Sequence, residues 1–146
     1  MRQSVDNGNA SVTDVLNAMQ VRQLLLVADS CYSGTLTRSA TGQLKPGMTE
    51  RDLLEAIQKM AQQRSRIVMT SGGVEPVLDG AGGAHSAFAG AFIQVLRENH
   101  GVLLARELFD RLQPRVAAVV PQAPEYAPIQ YAGHEAGDFV FVRPAS

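Results

Sequence analysis

Three observations predict an α/β fold with a mostly parallel sheet and covering helices. Two apolar runs without polar alternation, 'QLLLVAD' (residues 23–29) and 'RIVMT' (66–70), have the length and character of strands covered on both faces. Segments with apolar residues at helical spacing lie before, between and after those runs. Each run ends in small polar residues, 'SCYSG' and 'SGG', where a strand leaves its sheet. Helices interleaved with buried strands build a layered α/β domain. Such sheets carry their chemistry at the carboxyl ends of the strands.

Taken in order, residues 11–20 place Val12, Val15, Leu16 and Met19 on one helical face behind Ser11, a candidate cap. The first strand follows over 23–29. Residues 35–48, 'TLTRSATGQLKPGM', have no period and are rich in Thr, Ser, Gly and Pro, which reads as a long surface loop. Thr49 with Asp52 three residues on forms a capping-box pattern. Leu53, Leu54, Ile57, Met60 and Ala61 then give a helix from about 50 to 63. The second strand starts at Arg66, and the Gly-rich 'LDGAGGAH' follows it. Phe88, Ala91, Phe92, Val95 and Leu96 define a helix ending near Asn99 to Gly101. Leu104, Leu108, Phe109 and Leu112 define another over 104–113 that Pro114 kinks or ends. 'DFVFV' reads as a last strand.

At 146 residues and 45% apolar composition, one core and one domain are expected over 1–146. A net charge of −1 gives no electrostatic ground for nucleic acid or anionic membrane as a partner. No apolar run approaches the roughly 18 residues that span a bilayer, and the first 14 residues lack a signal-peptide core. One cysteine makes no internal disulfide, and the expected location is cytoplasmic.

That cysteine, Cys31, stands at the carboxyl end of the first strand, and the Thr70 to Gly73 turn stands at the same end of the second. If the two strands are parallel neighbours, both open onto one cleft. 'DSCYSG' resembles the nucleophile motif of the caspase-like cysteine peptidases, closer to the bacterial and metacaspase branch than to animal caspases, whose local signature is Gln-Ala-Cys. 'VMTSGGVEPVLDG', 'HSAFAGAFIQVL' and 'APEYAPIQYAGHEAGDFVF' resemble the later segments of bacterial caspase-family domains in the same order. The similarity runs from about residue 12 to 143.

The resemblance implies a caspase-like fold and a peptide or protein substrate, with Cys31 as nucleophile and its own backbone N–H helping to hold the oxyanion. It places Asp29 in the pocket for the residue on the amino side of the cut, with Ser30 beside it and Asp79 a further acidic candidate. A carboxylate there selects Arg or Lys through charge-assisted hydrogen bonds. No cofactor is implied; calcium, which some metacaspases require, has no dense carboxylate loop in this sequence to assign it to.

The sequence also departs from the family. The family's His-Gly pair lies about 50 residues before the cysteine, whereas 30 residues precede Cys31 and none is histidine; His85, His100 and His134 all follow it. The expectation is therefore the later, nucleophile-bearing part of a caspase-like domain, without its first strands and base. A sheet cut in this way exposes an edge, so self-association is expected. The rival readings are a non-catalytic caspase-like scaffold or regulatory binding module and an unrelated α/β domain whose sheet edge binds a partner, with Cys31 an inert buried thiol.

Overall fold

The computed structural model describes residues 8–30, 47–73 and 85–144. Helix α1 (Gly8–Ala18) leads to strand β1 (Gln23–Ala28), α2 (Glu50–Gln62), β2 (Ser65–Thr70), α3 (Ala87–Glu98), β3 (Val102–Leu104), α4 (Ala105–Ala117), β4 (Glu125–Pro128) and β5 (Val140–Val142). The protein is mixed α/β, as expected. β1 and β2 run parallel, from Gln23 opposite Ser65 to Ala28 opposite Thr70.

The sheet is mixed rather than mostly parallel. β4 lies antiparallel on the other side of β2, giving the order β1-β2-β4, and β3 and β5 form a separate antiparallel pair. β4, 'EYAP', is four residues long and ends in proline, so it carries no strand pattern of its own. It forms because the chain after α4 returns against a fully buried central strand. β3 was likewise hidden in the lead-in to α4.

β2 is buried along its whole length, with Ile67 and Met69 fully so. β1, expected to be covered on both faces, is only half-buried, and Val27 is 40% exposed. The cause is position: among the described residues β1 is an edge strand. Met69 and Leu25 point into a core built with Phe88, Ala91 and Val95 of α3 and Leu108, Phe109, Leu112 and Val116 of α4. Val68, Leu24 and Leu26 face the other way with Ala127, Ile129 and Leu16 of α1. Side-chain alternation along each strand thus divides the core into two layers.

The Thr49–Asp52 capping box is present in full. Thr49 Oγ1 accepts from the Asp52 N–H at 3.2 Å and Asp52 Oδ2 from the Thr49 N–H at 3.2 Å. Those bonds from Thr49, its hydroxyl first, hold the Asp52 carboxyl below the usual carboxylate range. α2 nonetheless buries no residue fully, and Leu54 is 51% exposed.

Two helix boundaries differ from expectation. α1 starts at Gly8, so Ser11 lies inside it rather than at its cap. It stops at Ala18, where arginine side chains capture its terminal carbonyls. α4 continues through Pro114 to Ala117. Pro114 removes one intrahelical donor, but burial of Val116 and Val120 anchors the turn beyond it, and the Ala118 N–H bonds the Pro114 carbonyl at 3.1 Å.

Candidate functional site

The parallel register brings the exits of β1 and β2 together. Ala28 stands opposite Thr70, and the Ser71 N–H donates to the Ala28 carbonyl at 3.1 Å. Asp29 and Ser71 therefore follow side by side as the next pair. By alternation both belong to the face that carries Leu25 and Met69, the face covered by α3. Gly72, next in the turn, has φ +73° and lies so close to the Ala123 carbonyl that a Cβ would collide with it. Only glycine fits this turn.

α3 meets this corner with its first turn. Ser86 is its N-cap: the Ser86 hydroxyl accepts from the Ala89 N–H at 3.0 Å and donates its proton to Asp29 Oδ2. Asp29 is thereby tied to the amino end of a helix, where negative charge is favourable. Among the described residues, its other oxygen, Oδ1, is buried without a hydrogen-bond partner, and so is the hydroxyl of the fully buried Ser71; the Gln23 side-chain amide nitrogen and the Ser65 hydroxyl share that state at the other end of the strand pair. Leaving such groups unpaired costs about 1–3 kcal/mol each, and at Asp29 the unpaired group is an anionic acceptor that a cationic donor satisfies best.

Of the residues singled out in the sequence, Asp29 and Ser30 are described, both half-buried. Cys31 and Asp79 lie outside the described residues, as does the Gly-rich 80–84. Ser71 and Ser86 were not among the expected site residues. Ser86 carried a signal, since a serine before an amphipathic segment marks a helix cap, and Ser71 lies in the Thr70 to Gly73 turn expected to open onto the cleft.

The histidines separate. His85 is exposed and precedes Ser86, so it belongs to the corner that holds Asp29. His134 belongs to the opposite end of the sheet. Its Nδ1 accepts from the Arg66 N–H at 2.9 Å, and Arg66 is four residues before Thr70, about 13 Å along a strand. Burial is the main cause that lowers the His134 pKa; the Arg66 guanidinium adds to it, and Asp138 and Glu135 oppose it. His100 is exposed beyond the end of α3.

A second polar cluster joins α4 to the chain before β5. Asp138 accepts from the Tyr126 hydroxyl at 2.6 Å, the Phe139 N–H at 2.8 Å and the Arg106 N–H at 2.8 Å, and the Arg106 guanidinium lies 5.3 Å from the centre of the Tyr126 ring. Burial raises the pKa of both Tyr126 and Asp138. All these groups are partnered, and the cluster fixes the start of α4.

No helix among the described residues is long and apolar enough to cross a membrane. No group of three or more His, Cys, Asp or Glu side chains among them is placed to hold a metal ion. No protein-family model, curated protein or solved structure matches the chain.

Proposed function

We propose that this chain carries the nucleophile-bearing part of a caspase-like cysteine endopeptidase of the metacaspase type, cutting peptides after Arg or Lys. Cys31 is the nucleophile, Asp29 the acceptor for the basic side chain, and Ser30 and Asp79 are the further substrate-binding candidates. The observation that carries this reading is Asp29 Oδ1, buried and unpartnered at the carboxyl end of a parallel strand pair, two residues before Cys31. A guanidinium or ammonium group is the donor such an oxygen takes most favourably. The test is hydrolysis of fluorogenic peptides ending in Arg, Lys or Asp. Without its base the chain is expected to turn over none of them; turnover of the Arg or Lys peptide that disappears in Cys31→Ala would show a surrogate base, and equal turnover by the variant removes the role of Cys31.

A second reading, a non-catalytic caspase-like module, is favoured by the position of His134, which is engaged at the wrong end of the sheet. It predicts no turnover and ordinary alkylation at Cys31.

Self-association through β1 belongs to either reading. Arg22 and Ala28 offer their carbonyls to Ser65 and Ser71 of the β2 segment, so in a parallel ladder the even-numbered residues face β2 and Gln23, Leu25 and Val27 turn their backbone groups outward. An edge of this kind pairs with another strand, and sedimentation of the chain is expected to show a species larger than a monomer.

A further inference from the structure

We infer that Ser86 is a positioning residue for Asp29: its hydroxyl sets which carboxylate oxygen is left to receive a basic group. A serine hydroxyl has one proton to donate. Here that proton goes to Asp29 Oδ2, while Ser86 Oγ accepts the Ala89 N–H at 3.0 Å. The rotation of the Ser86 hydroxyl is therefore fixed by the first turn of α3, and through it the plane of the Asp29 carboxylate is fixed as well. Oδ1 is the remaining acceptor, and it has no partner. Ser71, which follows Asp29 in the β1–β2 register, holds its own hydroxyl buried and unpartnered. A planar guanidinium presents several N–H donors in a fixed fork. One donor matches the free carboxylate oxygen, and the serine hydroxyl supplies a neighbouring acceptor.

The burial of Ser86, 6% exposed, keeps water from competing for its proton. A carboxylate free to rotate offers either oxygen to solvent or to a neighbouring N–H, and its preference for a cation over a neutral donor falls. Ser86 thus affects recognition without touching the bound group. The inference takes its ligand class from the peptidase reading above, but requires no turnover.

The experiment compares binding of Nα-acetyl-arginine amide with that of its neutral isostere, Nα-acetyl-citrulline amide, to the full chain, followed by amide shifts in NMR spectra. Asp29→Asn, Ser86→Gly and Ser86→Thr are the variants. Glycine at an N-cap costs a helix only a few tenths of a kcal/mol relative to serine, so Ser86→Gly removes the hydroxyl with little loss of α3. The unaltered chain is expected to prefer the arginine amide by about tenfold, the scale of one charge-assisted hydrogen bond. Asp29→Asn and Ser86→Gly lose that preference, and Ser86→Thr, which keeps a hydroxyl, retains it. A preference lost in Asp29→Asn but retained in Ser86→Gly overturns the role of Ser86 and leaves the pocket standing. Equal binding of the two amides by the unaltered chain overturns the basic pocket and the inference together, while Cys31 as nucleophile is judged separately by the peptide assay.

Discussion

The two ends of the β1–β2 pair treat their charged groups in opposite ways. At the amino end, the fully buried Arg66 side chain donates to the carbonyls of Leu16, Met19, Val21, Arg22 and Ser65. Arg64 adds bonds to the carbonyls of Asn17 and Met19, and His134 takes the Arg66 N–H. Two cations close the end of α1 and the turn into β1, as positive charge does at helix C-termini. At the carboxyl end, Asp29 Oδ1 and the Ser71 hydroxyl have no partner among the described residues. The Ser65 hydroxyl and the Gln23 side-chain amide nitrogen at the amino end lack one too, so the contrast lies in the charges: a saturated charge holds architecture together, whereas an unsaturated one carries a cost that only a further partner removes. His134, in 'YAGHEAGD', is a poor match to the family's His-Gly pair, and its bond from the Arg66 N–H ties it to this end of the scaffold.

The contrast breaks most visibly at Arg66. Arg66→Leu keeps an apolar stem but withdraws every donor from five carbonyls, some of which solvent reaches. The expected loss is about 3 kcal/mol or more, which for a chain of this size lowers the melting temperature by roughly 10 °C. Arg66→Lys, with a compact charge in place of the fork, is expected to fall between the two. A melting temperature unchanged in Arg66→Leu would show that the amino end is not held by this cation.

Much of this arrangement was legible before the structure, and the remainder was hidden for physical reasons. The two apolar runs gave β1 and β2 because strands without polar alternation stand out at any register. Thr49 and Asp52 gave the start of α2 because a capping box is a local signal. β4 escaped because 'EYAP' owes its strand conformation to β2, 55 or more residues earlier in the pairing of Thr70 with Glu125. Pro114 misled because the burial of Val116 and Val120 outweighs one missing donor. At the candidate site Asp29 was legible from its place in 'DSCYSG'. The bond from Ser86 spans 57 residues of chain, so the sequence announced the cap but not the carboxylate it holds.

A smaller effect sharpens the comparison from the side of pH. Burial lowers the His134 pKa from its ordinary value, so the folded chain takes up that proton less readily than the unfolded one. The stability tied to neutral His134 is therefore present above the unfolded imidazole value of about 6.5 and is lost progressively as the pH falls below it. His134→Asn retains an acceptor for the Arg66 N–H and does not titrate. Melting temperatures at pH 7.5 and 5.5 are expected to differ less in His134→Asn than in the unaltered chain. Asp138, whose pKa burial raises, titrates in both proteins and cancels from the difference. The same acid-induced drop in both would place the sensitivity elsewhere.

The smallest effect is expected at Ser71, where the comparison is most severe. Its side chain is as buried as that of Arg66, so burial alone would rank the two substitutions together. Its hydroxyl, however, makes no hydrogen bond, and removing a buried group that lacks a partner also removes its desolvation cost. Ser71→Ala is therefore expected to leave the melting temperature unchanged or raise it by a degree or two, on the order of a few tenths of a kcal/mol. The same variant is expected to weaken binding of the arginine amide by a few-fold, because the acceptor beside Asp29 Oδ1 is gone. Stability and recognition then move in opposite directions at one atom. A clear fall in melting temperature in Ser71→Ala would mean that the hydroxyl is partnered in solution, and the carboxyl end would have to be counted as scaffold like the amino end.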